Sequence, residues 1–190
     1  MKKRLLLRGI AVIAVVALLL GAFAMPAAAA IPSGAAKEVV RLVNAERAKV
    51  GLPALKSNYG ALKNAAQKRA TELPLRFDST HARPDGSAWH TVLKDYNVRY
   101  TFAGENIAYG QKSAAQVVQA WMDSPGHKKN ILGDFTHIGV GIYESTQDGR
   151  TRLNWSQEFA KVPSLNFGDI LLTIIRIVAF PVQLLSRLFG

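Results

Sequence analysis

The chain has 190 residues and a formal net charge of +11, and it contains no cysteine. This length allows one domain with a substantial core together with terminal segments. The lack of cysteine excludes disulfides, a thiol nucleophile and a thiolate metal site, so a functional site must use histidine, carboxylate, hydroxyl and backbone groups.

Residues 1–30 are typical of a signal peptide. Four basic side chains precede the apolar run IAVIAVVALLLGAFA, and the small-residue segment MPAAAA follows it. We expect cleavage after Ala30, with Ala24 and Ala28 as alternative sites and an uncleaved membrane anchor as the alternative role. Without this segment the net charge falls to +7. The remaining positive charge favours anionic partners such as envelope polymers or lipid headgroups.

Nucleic acid is not an expected partner. The sequence has neither a zinc-finger spacing nor a sustained basic helix, which are the usual signals of nucleic-acid binding. Export would also remove the usual opportunity for such binding. We therefore expect a secreted, extracellular protein that is associated with the cell envelope.

The domain, which we expect over residues 31–163, begins with two predicted helices. Apolar residues recur at helical spacings around Val39 and Val43, and this pattern ends at VGLPAL. A second helical pattern runs from Leu62 to Leu73, where small alanines suit close packing. Two helices at the start of the domain are therefore predicted.

A long loop and a third helix follow. Residues 74–98 carry the turn signals DST and RPDG and show no sustained period, which predicts a loop with one short helix near SAWHTVL. Ser113 and Gln116 have the spacing of a capping box, so a helix is expected to begin there. Pro125 and Gly126 are expected to end it.

In the last part of the domain the apolar residues recur at every second position, as in a strand. THIGVGIYES and TRLNWSQEFA alternate apolar with small or polar residues, and Asp148-Gly149 between them is a strong hairpin turn signal. Another strand is expected in VRYTFAG. Helices followed by a hairpin indicate an α+β fold, in which helices cover an antiparallel sheet.

Residues 164–190 form a cationic amphipathic tail. Arg176 and Arg187 lie with Thr173 and Gln183 on a narrow polar stripe, and most other positions are apolar. We expect residues 165–190 to bind a membrane surface as an interfacial helix. A true membrane span, which would place Arg176 in the hydrocarbon, and packing against the domain or a second copy are the alternatives.

Four residues are candidates for a cleft or ligand-binding site: His81 in HARPDG, Glu105 in AGENIAYG, His127 in SPGHKKNIL and His137 in THIGVGI. Their spacing alone is a weak signal, because the ligands of helical zinc motifs lie within one turn of each other. Glu105 lies in a largely apolar stretch, where a carboxylate needs a partner that compensates its desolvation. His137 lies beside two glycines, which leave it room to face an open groove.

Six motifs, in order over residues 36–160, resemble the bacterial branch of the CAP superfamily of cysteine-rich secretory, antigen five and pathogenesis-related proteins. They are LVNAERAKVGLPAL, HARPDG, GENIAYG, AWMDSPGHKKNIL, THIGVGI and NWSQEFA. The resemblance implies a three-layer α-β-α sandwich (CAP/SCP-like) with a central antiparallel sheet and a cleft lined by two histidines and two acidic groups. His81 resembles the first histidine, Glu105 the GEN glutamate and His137 the second histidine, whereas His127 is near the same cleft.

The resemblance also implies that His81 and His137 hold zinc or another divalent cation, as the cleft histidines do in some members. Two imidazoles with a carboxylate and water would form an open set of the catalytic kind. This sequence departs from the fuller pattern, because Ser124 stands three residues after Trp121, where many eukaryotic members carry a second glutamate. The adjacent Asp123 would point about 100° away on a helix.

Two functions are consistent with these residues. The first is an envelope-associated domain whose cleft binds a lipid, glycan or peptide. The alternative is a metal-assisted hydrolase, a peptidase or esterase, in which His81 and His137 hold the ion and Glu105 acts as a ligand or general base. Ser79 and Ser124 lie close to histidines in the sequence, but neither stands in a nucleophile-elbow motif. Whether the chain is an enzyme stays open at this point.

Overall fold

The computed structural model describes residue 31 and residues 33–164. The predicted signal peptide with its cleavage site and the predicted membrane-binding segment 165–190 lie outside the described residues. No helix within the described part of the chain has the length and apolar character that crossing a membrane requires.

The described residues form helices in the first part of the domain and a hairpin in the last, as the sequence predicts. In chain order the elements are α1 (Ala35–Lys49), α2 (Gly60–Glu72), α3 (Thr91–Asp95), β1 (Phe102–Tyr109), α4 (Ala114–Asp123), α5 (Pro125–Ile131), β2 (His137–Gln147) and β3 (Arg150–Lys161). The short helix expected near SAWHTVL is α3.

Local signals explain where the elements begin and end. The Ser113 Oγ accepts a hydrogen bond from the Gln116 backbone N–H at 3.2 Å, which confirms the predicted cap of α4. The Gln116 side chain reaches one residue further back than a capping box requires and accepts from the Lys112 N–H at 2.8 Å. Pro125 ends α4 as expected, but it also begins α5, because the first helical turn needs no N–H donor from proline.

The sheet has three antiparallel strands in the order β1-β3-β2. Asp148 and Gly149 both have positive φ, at 50° and 68°, as a two-residue hairpin turn between β2 and β3 requires. The last strand is therefore the central one. Its register places Glu158 opposite Glu105 of β1 and opposite Gly139 of β2.

Helices cover both faces of the sheet and give the three-layer α-β-α sandwich. On one face α1, α4 and α5 pack over the largest apolar cluster, which includes Trp121, Trp155 and Phe159. On the other face α2 and α3 pack with Leu62, Leu93 and Ala160. The α+β fold class and its sandwich architecture are confirmed.

Gly139 and Gly141 allow α2 to lie very close to β2. A Cβ atom at Gly139 would overlap the Leu62 carbonyl, and one at Gly141 would overlap the Ala66 carbonyl. The sequence-based expectation that these glycines leave His137 facing an open groove therefore fails, because the backbone of α2 fills that space.

Candidate functional site

Glu105 is the centre of the candidate site and lies buried in the middle of β1. The Arg69 Nε donates to its Oε2 at 2.6 Å, and the Arg69 Nη2 donates to its Oε1 at 3.3 Å. The His81 Nδ1 lies 2.8 Å from the same Oε1. Burial alone would raise the pKa of Glu105, but the hydrogen bonds from His81 and Arg69 hold it below its ordinary value. The sequence predicts that this carboxylate has a partner that compensates its desolvation. Arg69 and His81 are those partners.

Arg69 belongs to a chain of buried ion pairs, called here the Arg69 network, which contains Arg69, Glu72, Arg83 and Glu105. The Arg69 Nη1 donates to Glu72 at 3.2 Å, and Arg83 binds both oxygens of Glu72 at 2.8 and 3.1 Å. Arg83 also reaches Asp95 at 2.7 Å at the surface. These contacts tie α2, the following loop and β1 together around Glu105.

His81 is held in a fixed orientation by this network. Its φ of 57° lies in the left-handed region, which is uncommon for a residue other than glycine, and its carbonyl accepts from the Arg69 Nη2 at 3.1 Å. An ionised carboxylate only accepts hydrogen bonds, so the His81 Nδ1 carries the hydrogen that points at Glu105. The Nε2 is therefore left without a role in the network, on a side chain that is 25% exposed.

His127 approaches the site from the opposite face of the sheet. It lies on α5, and its carbonyl accepts from the Asn106 Nδ2 at 3.1 Å. Burial lowers the pKa of His127, and the nearby charge of His81 lowers it further. Since β1 is an edge strand, His81 and His127 come near each other around that edge from its two sides.

Side chains from α4 and α5 cover the outer edge of β1. The Asn130 Nδ2 donates to the Glu105 carbonyl at 3.0 Å, and the Trp121 Nε1 donates to the Ile107 carbonyl at 3.3 Å. These bonds satisfy carbonyl groups that point away from β3. The edge is therefore closed to strand pairing at these positions, and the half-buried side chains of His81 and His127 lie on either side of it.

His137 lies apart from the other three candidates. Its ring makes an edge contact with Tyr59 at 5.9 Å, and its Nδ1 lies 2.9 Å from the Thr136 Oγ1. Burial and the charge of Lys56 lower the pKa of His137. Because β3 lies between β2 and β1, His137 is at least two strand spacings from Glu105, or about 10 Å. The structure joins His81 to Glu105 and places His127 close enough to feel the charge of His81, whereas His137 lies apart from them.

The expected zinc site does not fit this arrangement. His81 and His137 do not converge, and both oxygens of Glu105 are engaged by Arg69 and His81. The Arg69 guanidinium would also repel a cation at this position. Among the residues that the structure describes, no three His, Asp or Glu side chains are placed to share a metal ion.

Glu158 is a second acidic residue of the site that sequence reasoning did not single out. It is fully buried on β3 directly opposite Glu105, and its Oε1 accepts from the Ser156 Oγ at 3.1 Å. Its Oε2 meets no donor within the described part of the chain. Burial, followed by the charge of Glu105, raises the pKa of Glu158 well above its ordinary value. Protonation of Glu158 would let its Oε2 donate a hydrogen bond to Glu105 and would give this oxygen a partner.

Protonation of Glu158 also balances the buried charges. Arg69 and Arg83 then face two carboxylates, Glu72 and Glu105. A signal for Glu158 was present in NWSQEFA, because the apolar face of that strand leaves Glu158 on the other face. This sequence has Ser124 where the fuller family pattern has a second acid, but β3 supplies a second carboxyl group at Glu158.

The arrangement can present an oriented imidazole to a ligand or to water. When His81 is neutral, its Nε2 is a hydrogen-bond acceptor or a base, and Glu105 fixes its tautomer. Neither Ser79 nor Ser124 hydrogen-bonds to His81 or His127 in the described structure. The side chains that converge here can bind a donor group or activate water, but they supply no serine nucleophile.

Comparison with known proteins identifies a family and similar sequences. The model of the cysteine-rich secretory protein family, CAP, matches residues 40–159. The Bacillus subtilis protein YkwD is 41% identical over 124 residues, which are 65% of this chain and 46% of YkwD. The B. subtilis membrane protein YlbC is 30% identical over 107 residues, which are 56% of this chain and 31% of YlbC. This chain thus spans less than half the length of these curated relatives.

Solved structures show the same fold. An extracellular protein containing an SCP domain from Bacillus anthracis matches with a TM-score of 0.59 and 26% identity, over 68% of this chain and 41% of that chain. An outer surface protein from Borrelia burgdorferi matches with a TM-score of 0.56 and 23% identity, over 67% of this chain and 92% of that chain. Since the family model matches well over half of the sequence, this chain belongs to the bacterial branch of the CAP family.

Proposed function

We propose that this chain is an exported, envelope-associated CAP domain whose cleft at His81, Glu105 and His127 binds a lipid, glycan or peptide ligand. The signal peptide predicted over residues 1–30 and the similarity to an extracellular protein and an outer surface protein support the location. The observation that carries the proposed binding role is the pair of the buried Glu105 and the partly exposed His81, which leaves the His81 Nε2 available.

The buried charges around His81 support a role beyond packing. Replacement of buried ion pairs by apolar residues is often neutral or stabilising, so such pairs are weak evidence of stability. Here they fix the ring orientation of one partly exposed histidine. A ligand that presents a hydroxyl or amide N–H group can donate to the His81 Nε2 without a change in the protein.

Hydrolysis without a metal is the second candidate function. An imidazole that is oriented by a carboxylate has the arrangement of a general base, and it would act here on a water molecule. The same pair of residues favours this alternative, so the two functions differ in whether the bound ligand is cleaved. The metal-assisted form is not proposed, because the residues do not fit a zinc site.

Ligand co-purification tests the binding proposal. The full chain would be isolated from its native envelope, extracted into organic and aqueous solvents and analysed by mass spectrometry. His81→Asn removes the imidazole but suits the left-handed backbone at this position. His90→Asn, at an exposed histidine, is the matched control.

We expect the wild type and the His90→Asn variant to carry the same molecule and the His81→Asn variant to lose most of it. Equal recovery from all three proteins, or recovery from none, would contradict binding at His81. The recovered molecule would then be incubated with each protein. Product release by the wild type but not by His81→Asn would favour hydrolysis over binding alone.

A further inference from the structure

Exposed apolar side chains cluster at the end of the sheet near the β2–β3 hairpin. Leu75 is 75% exposed, Phe77 is 43% exposed and Tyr109 is 50% exposed. The Phe77 and Tyr109 rings pack edge to face with centroids 4.7 Å apart. With Arg76 and Arg152 these residues line one shallow pocket of about 220 Å³, and the five are called here the Leu75 patch. Exposed apolar side chains that form a cluster indicate an interaction surface, whereas single scattered ones do not.

The turn that carries Leu75 is fixed to the body of the domain. The Leu75 backbone N–H donates to the Glu72 carbonyl at 2.9 Å, so the turn continues directly from the end of α2. The Gln147 side chain donates to the Pro74 carbonyl at 2.6 Å and attaches the turn to β2. Leu75 is therefore presented on an anchored turn, and no rearrangement is needed to expose it.

The charges around the patch favour an anionic partner. The Arg152 guanidinium lies 5.8 Å from the centre of the Tyr109 ring, and it has no carboxylate partner among the ion pairs of the described residues. Among the described residues Arg76 pairs with Asp78 alone, across 2.7 Å at the surface. A guanidinium can exchange such a solvent-exposed pair for a phosphate, which it binds with two parallel hydrogen bonds.

We propose that the Leu75 patch docks the folded domain on an anionic lipid bilayer. Leu75 and Phe77 enter the boundary between headgroups and acyl chains, Tyr109 lies at headgroup level, and Arg76 and Arg152 bind phosphates. The exposed aliphatic side chain of Leu75 suits acyl chains and the two guanidinium groups suit phosphates, a combination that favours an anionic lipid surface over a neutral glycan. The pocket of the Leu75 patch does not include His81, and the proposal goes beyond the proposed function because docking needs no ligand at His81.

Labelling at single cysteines tests the contact in the full chain. Because the sequence has no cysteine, Leu75→Cys creates a unique thiol for the polarity-sensitive dye NBD. Val50→Cys, at an apolar residue that is 57% exposed after α1, is the matched control. Each labelled protein is mixed with vesicles of phosphatidylcholine, with or without phosphatidylglycerol, and with purified cell-wall polymer.

We expect brighter, blue-shifted emission from position 75 with the phosphatidylglycerol vesicles, no change at position 50, and loss of the effect at high salt. Leu75→Glu in the unlabelled chain should lower the vesicle partition coefficient at least about tenfold, whereas Val50→Glu should not. Vesicle binding without a change at position 75 would assign the contact to another segment and overturn the proposal. A response at both positions, or to the wall polymer alone, would also overturn it.

Discussion

Replacement of Glu158 by glutamine should make the domain more stable near neutral pH but not in acid. The amide has the same size as the carboxyl group, and its oxygen can still accept from the Ser156 Oγ. Its nitrogen can take the place of the protonated Oε2, which we infer to donate to Glu105. Glu158→Gln therefore preserves the contacts of the neutral side chain and removes its ability to ionise.

The size of the effect follows from the raised pKa of Glu158. As the pH rises above the ordinary value of 4.5, the unfolded chain releases this proton while the folded chain keeps it. The wild type then loses about 1.4 kcal/mol of unfolding free energy for each pH unit, until the folded pKa is reached. Glu105 from β1 and Arg69 from α2 face Glu158, whereas Gly139 from β2 has no side chain. Burial and Glu105 together outweigh the charge of Arg69.

Urea denaturation of both proteins from about pH 5 to pH 8 measures this difference. Subtracting the unfolding free energy of the wild type from that of the variant at each pH cancels the titrations that both proteins share, including those of His127 and His137. Glu46→Gln, which changes a surface pair with Lys49, is a control whose difference curve should vary little. If Glu158→Gln is less stable than the wild type at every pH, or if the difference is flat, Glu158 is ionised and the inferred hydrogen bond to Glu105 is refuted.

Substitutions at three further positions test packing and hydrogen bonds elsewhere in the domain. Gly139→Ala would press a methyl group against the Leu62 carbonyl, and we expect a loss of about 2 kcal/mol, seen as a lower urea midpoint; an unchanged midpoint would contradict the close approach of α2. Ser113→Ala should cost about 1 kcal/mol by thermal melting, whereas Ser113→Thr should recover most of it. Arg47→Met removes the donor to the carbonyls of Pro53, Ile131 and Gly133, and we expect a loss of about 3 kcal/mol in urea; wild-type stability would show that these carbonyls need no protein donor.

The elements that the sequence predicts best are those with a local physical cause. The Ser113 hydroxyl satisfies a free N–H within its own helix, and Gly149 permits the turn between adjacent strands. Such signals involve residues a few positions apart and do not depend on the rest of the fold. The start of α5 at Pro125 has a local cause too, but the same residue is also a stop signal for α4, so the sequence alone left its second role open.

The candidate site was only partly predictable because it depends on strand order. The alternating pattern assigns faces to β2 and β3, but it does not show that β3 lies between β2 and β1. The sequence therefore permits His137 as a partner for Glu105, although a whole strand separates them. The same missing information hid Glu158, whose position opposite Glu105 arises from pairing between residues 53 positions apart.

The THIGVGI motif serves the site through its glycines. Gly139 and Gly141 let the backbone of α2 lie against β2 at Leu62 and Ala66, and Arg69 follows one turn later on the same helix. From there its guanidinium reaches across β3 to Glu105 on β1. A bulkier residue at either glycine would push α2 outward and leave Glu105 without its cation. The motif therefore acts on the orientation of His81 by setting the height of α2 above the sheet, and its own histidine packs against Tyr59.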